Sequence, residues 1–347
     1  MKLSVLNQVR LSPGSTAARA LRDAIELACL ADALGYERYW IAEHHGSDGL
    51  ACPCPEVLLA AIGAATSRIR IGAGGILMPH YSAYKVAECF RALDHLYPGR
   101  VDLGIGRSAG AGPIETAALQ RRPSPEPFGE DFSDQLAELR HFLNGTFPDD
   151  HAYRSIRVSP DGARPVPVWL LGSSQGSAEM AAAAGLPYAF AQFINPLQLE
   201  ASCRAYLGRP HDGRGGRERR LIVALSAMCL DTEADVQRLA AEARRDRPPA
   251  PAGAPAPAGA SASAGRTGTH PVRQGREWEK SRFIGTPERV RRDLLAAAAA
   301  AGVDELMVLA PMGDAATVRH SYRLLAEAFD LAPAAAGHRH EERSCVT

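Results

Sequence analysis

Short runs rich in valine, isoleucine, leucine and aromatic residues alternate along the chain with stretches whose apolar positions recur every three to four residues. The first kind suits a strand and the second the buried face of an amphipathic helix. Strands are expected at 2–6, 38–42, 69–72, 101–104, 166–171, 188–191, 221–230 and 305–309. Helices are expected at 16–34, 55–66, 82–96, 132–143, 177–184, 196–206, 234–245, 287–301 and 315–329. Gly35 follows the first helix as a suitable C-cap, and Pro55 sits in the first turn of the second. Every expected strand has a helix after it, which predicts βα units on a parallel sheet. An open doubly wound sheet is one way to arrange them. A closed (β/α)8 TIM barrel of the α/β class fits better, because polar clusters fall at the ends of several different strands.

One segment breaks the alternation. Residues 247–268 are almost entirely Pro, Ala, Gly, Ser and Arg, a composition that cannot bury a core. It interrupts a βα unit and leaves a single strand beyond it, so it does not read as a linker between two complete folds. The expected organisation is one barrel domain over 1–331 with a disordered or mobile insertion, 247–282, before the eighth strand. Residues 332–347 are expected to form a disordered tail. The insertion reads either as a lid over the substrate or as an inert surface loop.

Composition narrows the function classes. The 347 residues carry 39 Lys and Arg against 39 Asp and Glu, a formal charge of +0 that offers no attraction to nucleic acid or an anionic membrane. No apolar run approaches a membrane span, and the N-terminus does not read as a signal peptide. Seven cysteines are scattered without C-x-x-C spacing. Reduced thiols in a soluble, cytoplasmic protein are expected, rather than a disulfide framework or a metal site.

Candidate chemistry gathers at four strand ends. Tyr39-Trp40-Ile41-Ala42-Glu43-His44-His45 closes the second strand. Adjacent residues of an extended segment point to opposite faces, so His44 and His45 do not readily share a metal ion. One imidazole facing the barrel mouth suits acid–base chemistry, with its neighbour and Glu43 holding structure. Gly72-Ala73-Gly74-Gly75 lacks the lysine and hydroxyl of a P-loop, but tandem glycine allows a planar ring to approach the backbone. Gly104-Ile105-Gly106-Arg107 places a possible phosphate-binding guanidinium at the fourth strand end. Leu171-Gly172-Ser173-Ser174-Gln175-Gly176-Ser177 runs from a strand into a helix start that suits a phosphate monoester, or is simply a serine-capped helix.

Together these motifs resemble the bacterial-luciferase-like flavin-dependent monooxygenases, and among them a subgroup similar to a mensacarcin-pathway oxygenase of actinomycetes. The resemblance rests on 40–45, 69–79, Tyr97-Pro98-Gly99-Arg100 leading into 102–107, and Gly172-Ser173-Ser174 with Gly185-Leu186-Pro187 beyond. It implies a barrel, usually a homodimer through early helices, that binds reduced FMN (FMNH2) or, in some relatives, the deazaflavin F420. It implies His44 as the catalytic base and a cis peptide between Gly74 and Gly75 under the flavin ring. Arg107, Ser173, Ser174 and Ser177 are implied to hold the phosphate end, and Gln192 and Phe193 to line the ring pocket. Gly106 departs from the family, standing where bacterial luciferase carries a reactive cysteine.

The implied reaction consumes molecular oxygen and oxidises a small organic substrate, for this subgroup a polyketide, through a C4a-peroxyflavin. The sequence carries no nicotinamide fingerprint, so a separate flavin reductase is expected as a partner. Three alternatives stand beside it: F420-dependent hydride transfer, a non-catalytic flavin-binding protein, and a metal-dependent barrel hydrolase.

Overall fold

The computed structural model describes residues 1–12, 14–120, 128–161, 164–208, 219–245 and 282–332. Its strands are β1 (Lys2–Asn7), β2 (Arg38–Ile41), β3 (Arg70–Leu77), β4 (Val101–Gly106), β5 (Val168–Gly172), β6 (Tyr188–Ala191), β7 (Leu221–Cys229), β8 (Arg282–Gly285) and β9 (Glu305–Leu309). All pair in parallel in the order β6-β5-β4-β3-β2-β1-β9-β7, and a β6–β7 pairing closes the ring. The closed eight-stranded barrel is therefore the (β/α)8 fold that the alternation predicts. The described helices are α1 (Ala17–Leu34), α2 (Pro55–Ala65), α3 (Ala83–Leu96), α4 (Pro113–Leu119), α5 (Phe132–Asn144), α6 (Gln175–Ala184), α7 (Leu199–Leu207), α8 (Glu233–Arg245), α9 (Pro287–Ala301) and α10 (Ala315–Ala328). None of them is long and apolar enough to cross a membrane.

Three elements differ from the sequence expectation. β8 is an added strand outside the barrel, pairing Arg282 to Ser226 and Gly285 to Cys229 at the end of β7. Four residues with two apolar side chains are too short a pattern to register beside a polar run. Arg282 thus belongs to a strand and not to the insertion; 247–281 lie outside the described residues, as do 333–347 of the expected tail. α4 forms between the strand expected at 101–104 and the helix expected at 132–143, where no element is expected, with Pro113 in its first turn and no buried residue to betray it. β3 runs on through its glycines to Leu77, with the β3–β4 register shifting between Ala73 and Ile76.

Two apolar layers result. The larger lies between strands and helices, and a smaller one fills the barrel, where Trp40 and Trp169 meet edge-to-face at 5.5 Å and 72°. Asp32 of α1, nearly buried, accepts the N–H groups of Ser67 and Ile69 at 2.7 Å each and so pins the approach to β3.

Below the tryptophans, at the amino ends of the strands, polar groups close the barrel. Arg38 of β2 is fully buried, and its guanidinium reaches Asp102 of β4 at 2.6 Å and Glu305 of β9 at 2.7 Å. Arg70 of β3 donates to the other Asp102 oxygen at 2.5 Å, Trp40 Nε1 donates to Asp102 at 3.2 Å, and Ser4 of β1 donates to Glu305 at 2.6 Å. Side chains from β1, β2, β3, β4 and β9 therefore share one network, which specifies how those strands align more than it adds net stability.

Removing Asp102 leaves Arg70 without its carboxylate and Arg38 with one buried carboxylate, Glu305. Asp102→Ala should cost about 3–5 kcal/mol in urea unfolding, because Arg38 and Arg70 lose their shared carboxylate. Burial alone would push the Asp102 carboxyl up, but the two guanidiniums outweigh it and hold it below the usual range. Its folded value is lower than its unfolded one, so its contribution is complete above about pH 4 and fades as pH falls through the depressed value. The urea midpoint of Asp102→Ala should accordingly fall less steeply than that of the parent below about pH 4.

Candidate active site

A cavity of about 390 Å3 opens at the carboxyl ends of the barrel strands, within the range of roughly 300–1,000 Å3 usual for small-molecule sites. Its sides differ chemically. One wall is apolar, from Trp40, Leu171, Ala189, Ala191, Phe193 and Met307. Where β6 and β7 border the cavity they carry alanines, Ala189, Ala191 and Ala224, which leave space that larger side chains would fill.

Gly74 and Gly75 border this space, half-buried, and the peptide between them is cis. Sequence reasoning gave the tandem glycines a role toward a planar ligand; the structure adds a packing cause. A Cβ on Gly74 would come within 2.8 Å of Leu6 Cδ1, and one on Gly75 within 2.8 Å of the Gly104 carbonyl oxygen. Gly104 is bound by the same closeness, since its Cβ would overlap the Ala73 carbonyl. Gly106 is different: a Cβ there meets only Leu77 Cδ2, at 4.0 Å. The space beside Gly106 is therefore a feature of this cavity and not a demand of the backbone.

The residues after β2 divide as the strand geometry suggests. His44 borders the cavity, its N–H bonded to the Cys52 carbonyl at 3.2 Å. His45 leaves it, with its N–H on the Gly110 carbonyl at 3.2 Å and its Nε2 2.7 Å from Glu43 Oε1. His80 packs edge-on against His45 at 5.8 Å and bonds the Ala109 carbonyl at 2.7 Å; burial holds its imidazole below the ordinary value. His80 and Asp102, nominal metal ligands by residue type, are thus placed in separate polar clusters. Glu43 and Tyr81 were not singled out as working residues. The hint was a carboxylate at a strand end ahead of two imidazoles.

Arg107 stands exposed after β4 and borders the same cavity as Ser173 and Ser174 of the loop between β5 and α6. Ser174 and Ser177 border the cavity and also form a capping box. Ser177 N–H donates to Ser174 Oγ at 3.4 Å, Ser174 N–H to Ser177 Oγ at 3.3 Å, and Ser177 Oγ lies 2.8 Å from the Tyr188 hydroxyl. The hydroxyls therefore cap α6, and the N–H groups of Gln175 and Gly176 open its first turn. Gln192 does not join the others. It is buried, its N–H bonds the Ala224 carbonyl at 2.8 Å, and Phe193 and Ile194 take the cavity wall.

Comparison with known proteins identifies the family. The luciferase-like monooxygenase family model matches residues 1–329. The uncharacterized protein YwcH of Bacillus subtilis (strain 168) is 39% identical over 332 residues, covering 95% of this chain and 99% of that protein. The N-acetyl-S-alkylcysteine monooxygenase of the same organism is 44% identical over 195 residues, 56% of this chain and 58% of its own length. The crystal structure of apo-MsnO8 superposes with a TM-score of 0.80 at 38% identity, covering 96% of this chain and 99% of that one. The chain belongs to the luciferase-like monooxygenase family.

The glycines of the cavity give a paired test. Gly75→Ala should lower thermal stability by about 1–3 kcal/mol, since β4 backbone must move to admit the methyl group. Gly106→Ala, bordering the same cavity, should stay within about 0.5 kcal/mol of the parent. Equal losses in the two melting curves would refute the packing distinction.

Proposed function

We propose that this protein is a flavin-dependent monooxygenase that uses reduced FMN and molecular oxygen to oxidise a small organic substrate. One observation carries this: a single cavity is bordered by the side-chain-free backbone of Gly74–Gly75, by His44, and by Arg107 and the serines before α6. A flat ring with a phosphate tail fits that donor set. The half-exposed glycine backbone offers no side chain between ring and strand. Arg107 supplies a fork for phosphate oxygens, and the N–H groups of Gln175 and Gly176 with the Ser173 hydroxyl complete the cradle.

Reduced flavin supplies the electrons that activate oxygen. The chain's own residues bind, shelter and move protons. Arg107 and the start of α6 anchor the phosphate, which sets where the ring lies. Trp40, Leu171, Phe193 and Met307 present an apolar surface that limits water beside it. His44 holds or takes a proton at its imidazole as the substrate is oxidised. The substrate occupies the apolar side of the cavity, and the vacant space at Gly106 widens that side. A separate reductase supplies the reduced flavin.

Two substitutions test the assignment. Arg107→Ala should weaken FMN about 10- to 100-fold while leaving riboflavin, which lacks the phosphate, nearly unaffected, as expected for one charge-assisted contact. His44→Ala should keep FMN affinity and lower turnover about 10²- to 10⁴-fold. Titration in which F420 binds and FMN does not, with oxidation of substrate independent of oxygen, would replace this proposal with deazaflavin hydride transfer.

A further inference from the structure

The proposed chemistry fills one cavity and leaves its neighbour without a task. A second cavity, of about 70 Å3, lies where β1 and β9 end against α1 and α10. Leu6 and Gln8 border both spaces, and Leu6 is the side chain that a Cβ on Gly74 would strike. The second cavity therefore begins beside the backbone assigned to the flavin ring. At roughly 10–15 Å3 for one water-sized group, it takes a few heavy atoms and not a ring system.

The charges around this cavity are matched, with one exception. Asp23 pairs with Arg319 at 3.1 Å and with Arg19 at 2.8 Å. Asp314 accepts the Thr317 N–H at 2.8 Å as the cap of α10. Arg10 is different. Its guanidinium donates to Gln8 Oε1 at 3.4 Å, and among the described residues no carboxylate forms an ion pair with it. The residue keeps an exposed side, yet the protein packed around its head holds the guanidinium below its ordinary value, and no carboxylate opposes that. Taking a cation partly out of water without a counter-charge is unfavourable, and an arriving anion offsets the cost.

The backbone that places Arg10 is strained. Val9 has a φ of 53°, a left-handed conformation that a β-branched residue rarely adopts. Its N–H donates to Asn7 Oδ1 at 2.7 Å, and its carbonyl accepts the Ala51 N–H at 2.9 Å. Asn7 is fixed in turn by donating to the Tyr39 hydroxyl at 2.6 Å. Such strain persists only where the surroundings impose it, and ligand sites are a common setting.

We propose that Arg10 anchors a carboxylate on the substrate, whose apolar body passes Leu6 and Gln8 into the main cavity. The planar fork of the guanidinium matches the two carboxylate oxygens. The substrate class is then an amphipathic organic acid, oxidised at its apolar part and held by its anionic end. This inference rests on the monooxygenase reading above and adds to it the end of the substrate that does not react.

Calorimetric titration of flavin-free protein tests it with butanoate, hexanoate and octanoate, each beside the alcohol of equal chain length, at neutral pH where the acids are ionised. At least one acid should bind about 10- to 100-fold more tightly than its alcohol, as expected for one charge-assisted contact. Arg10→Gln should remove that preference while binding FMN as the parent does. Arg10→Lys keeps the charge and loses the fork; it should weaken the acid severalfold, and it serves if the glutamine variant fails to fold. The proposal would be overturned if no acid outbinds its alcohol, or if the preference survives in both variants. Loss of FMN affinity in Arg10→Gln would also overturn it, by placing the phosphate on that guanidinium. Parent protein that binds an acid through Arg10 but never binds FMN would instead refute the flavin reading.

Discussion

One buried guanidinium aligns the barrel. Arg38 sits between carboxylates from β4 and β9, and β2 can take only the register that places it there. Side chains alternate along a strand, so fixing Arg38 inward also fixes Trp40 inward against Trp169. The residues that follow then emerge at the opposite end of the barrel, with His44 on the cavity and His45 beside Glu43. A polar network at the amino ends of the strands thereby aims the chemistry at their carboxyl ends. The two ends are joined through β2 and the few residues after it.

The second constraint is how closely β3 and β4 approach. Gly75 and Gly104 leave no room for a methyl group between the strands, and Gly74 leaves none beside Leu6. Packing and ligand binding thus demand the same residue type, and glycine alone does not reveal which demand operates. Gly106 separates them, because a Cβ there would meet only Leu77 Cδ2, at 4.0 Å, so packing does not demand glycine. Beside the alanines of β6 and β7, it leaves the cavity wider than closure of the barrel requires.

Much of this architecture was legible in the residues. Barrel strands are buried on both faces, so they read as near-continuous apolar runs, and helices with a single buried face keep their period. β3 was cut short because glycines read as breakers, although here they continue the strand past a shift in register. β8 and α4 were missed because neither carries enough buried apolar surface to imprint a pattern. Nothing in the sequence pairs Arg38 with Asp102 and Glu305; only the closed ring brings residues so distant in sequence within 2.6–2.7 Å. At the site, the placement of His44 against His45 followed from alternation. The serine pair could be read as cap or ligand, and the structure makes it a cap that also borders the cavity. Gln192 is buried just after β6 and does not border the cavity, whereas Phe193 and Ile194 do.

The central claim is that one cavity holds a flavin by its phosphate at α6 and by its ring at the glycine backbone. A crystal structure of the protein soaked with FMN tests this directly. The ring should lie in van der Waals contact with Gly74 and Gly75, about 3.5–4.0 Å away, with phosphate oxygens on Arg107 and on the Gln175 and Gly176 N–H groups. A ring bound away from the β3 glycines, or a phosphate on the His44 side of the cavity, would contradict the account.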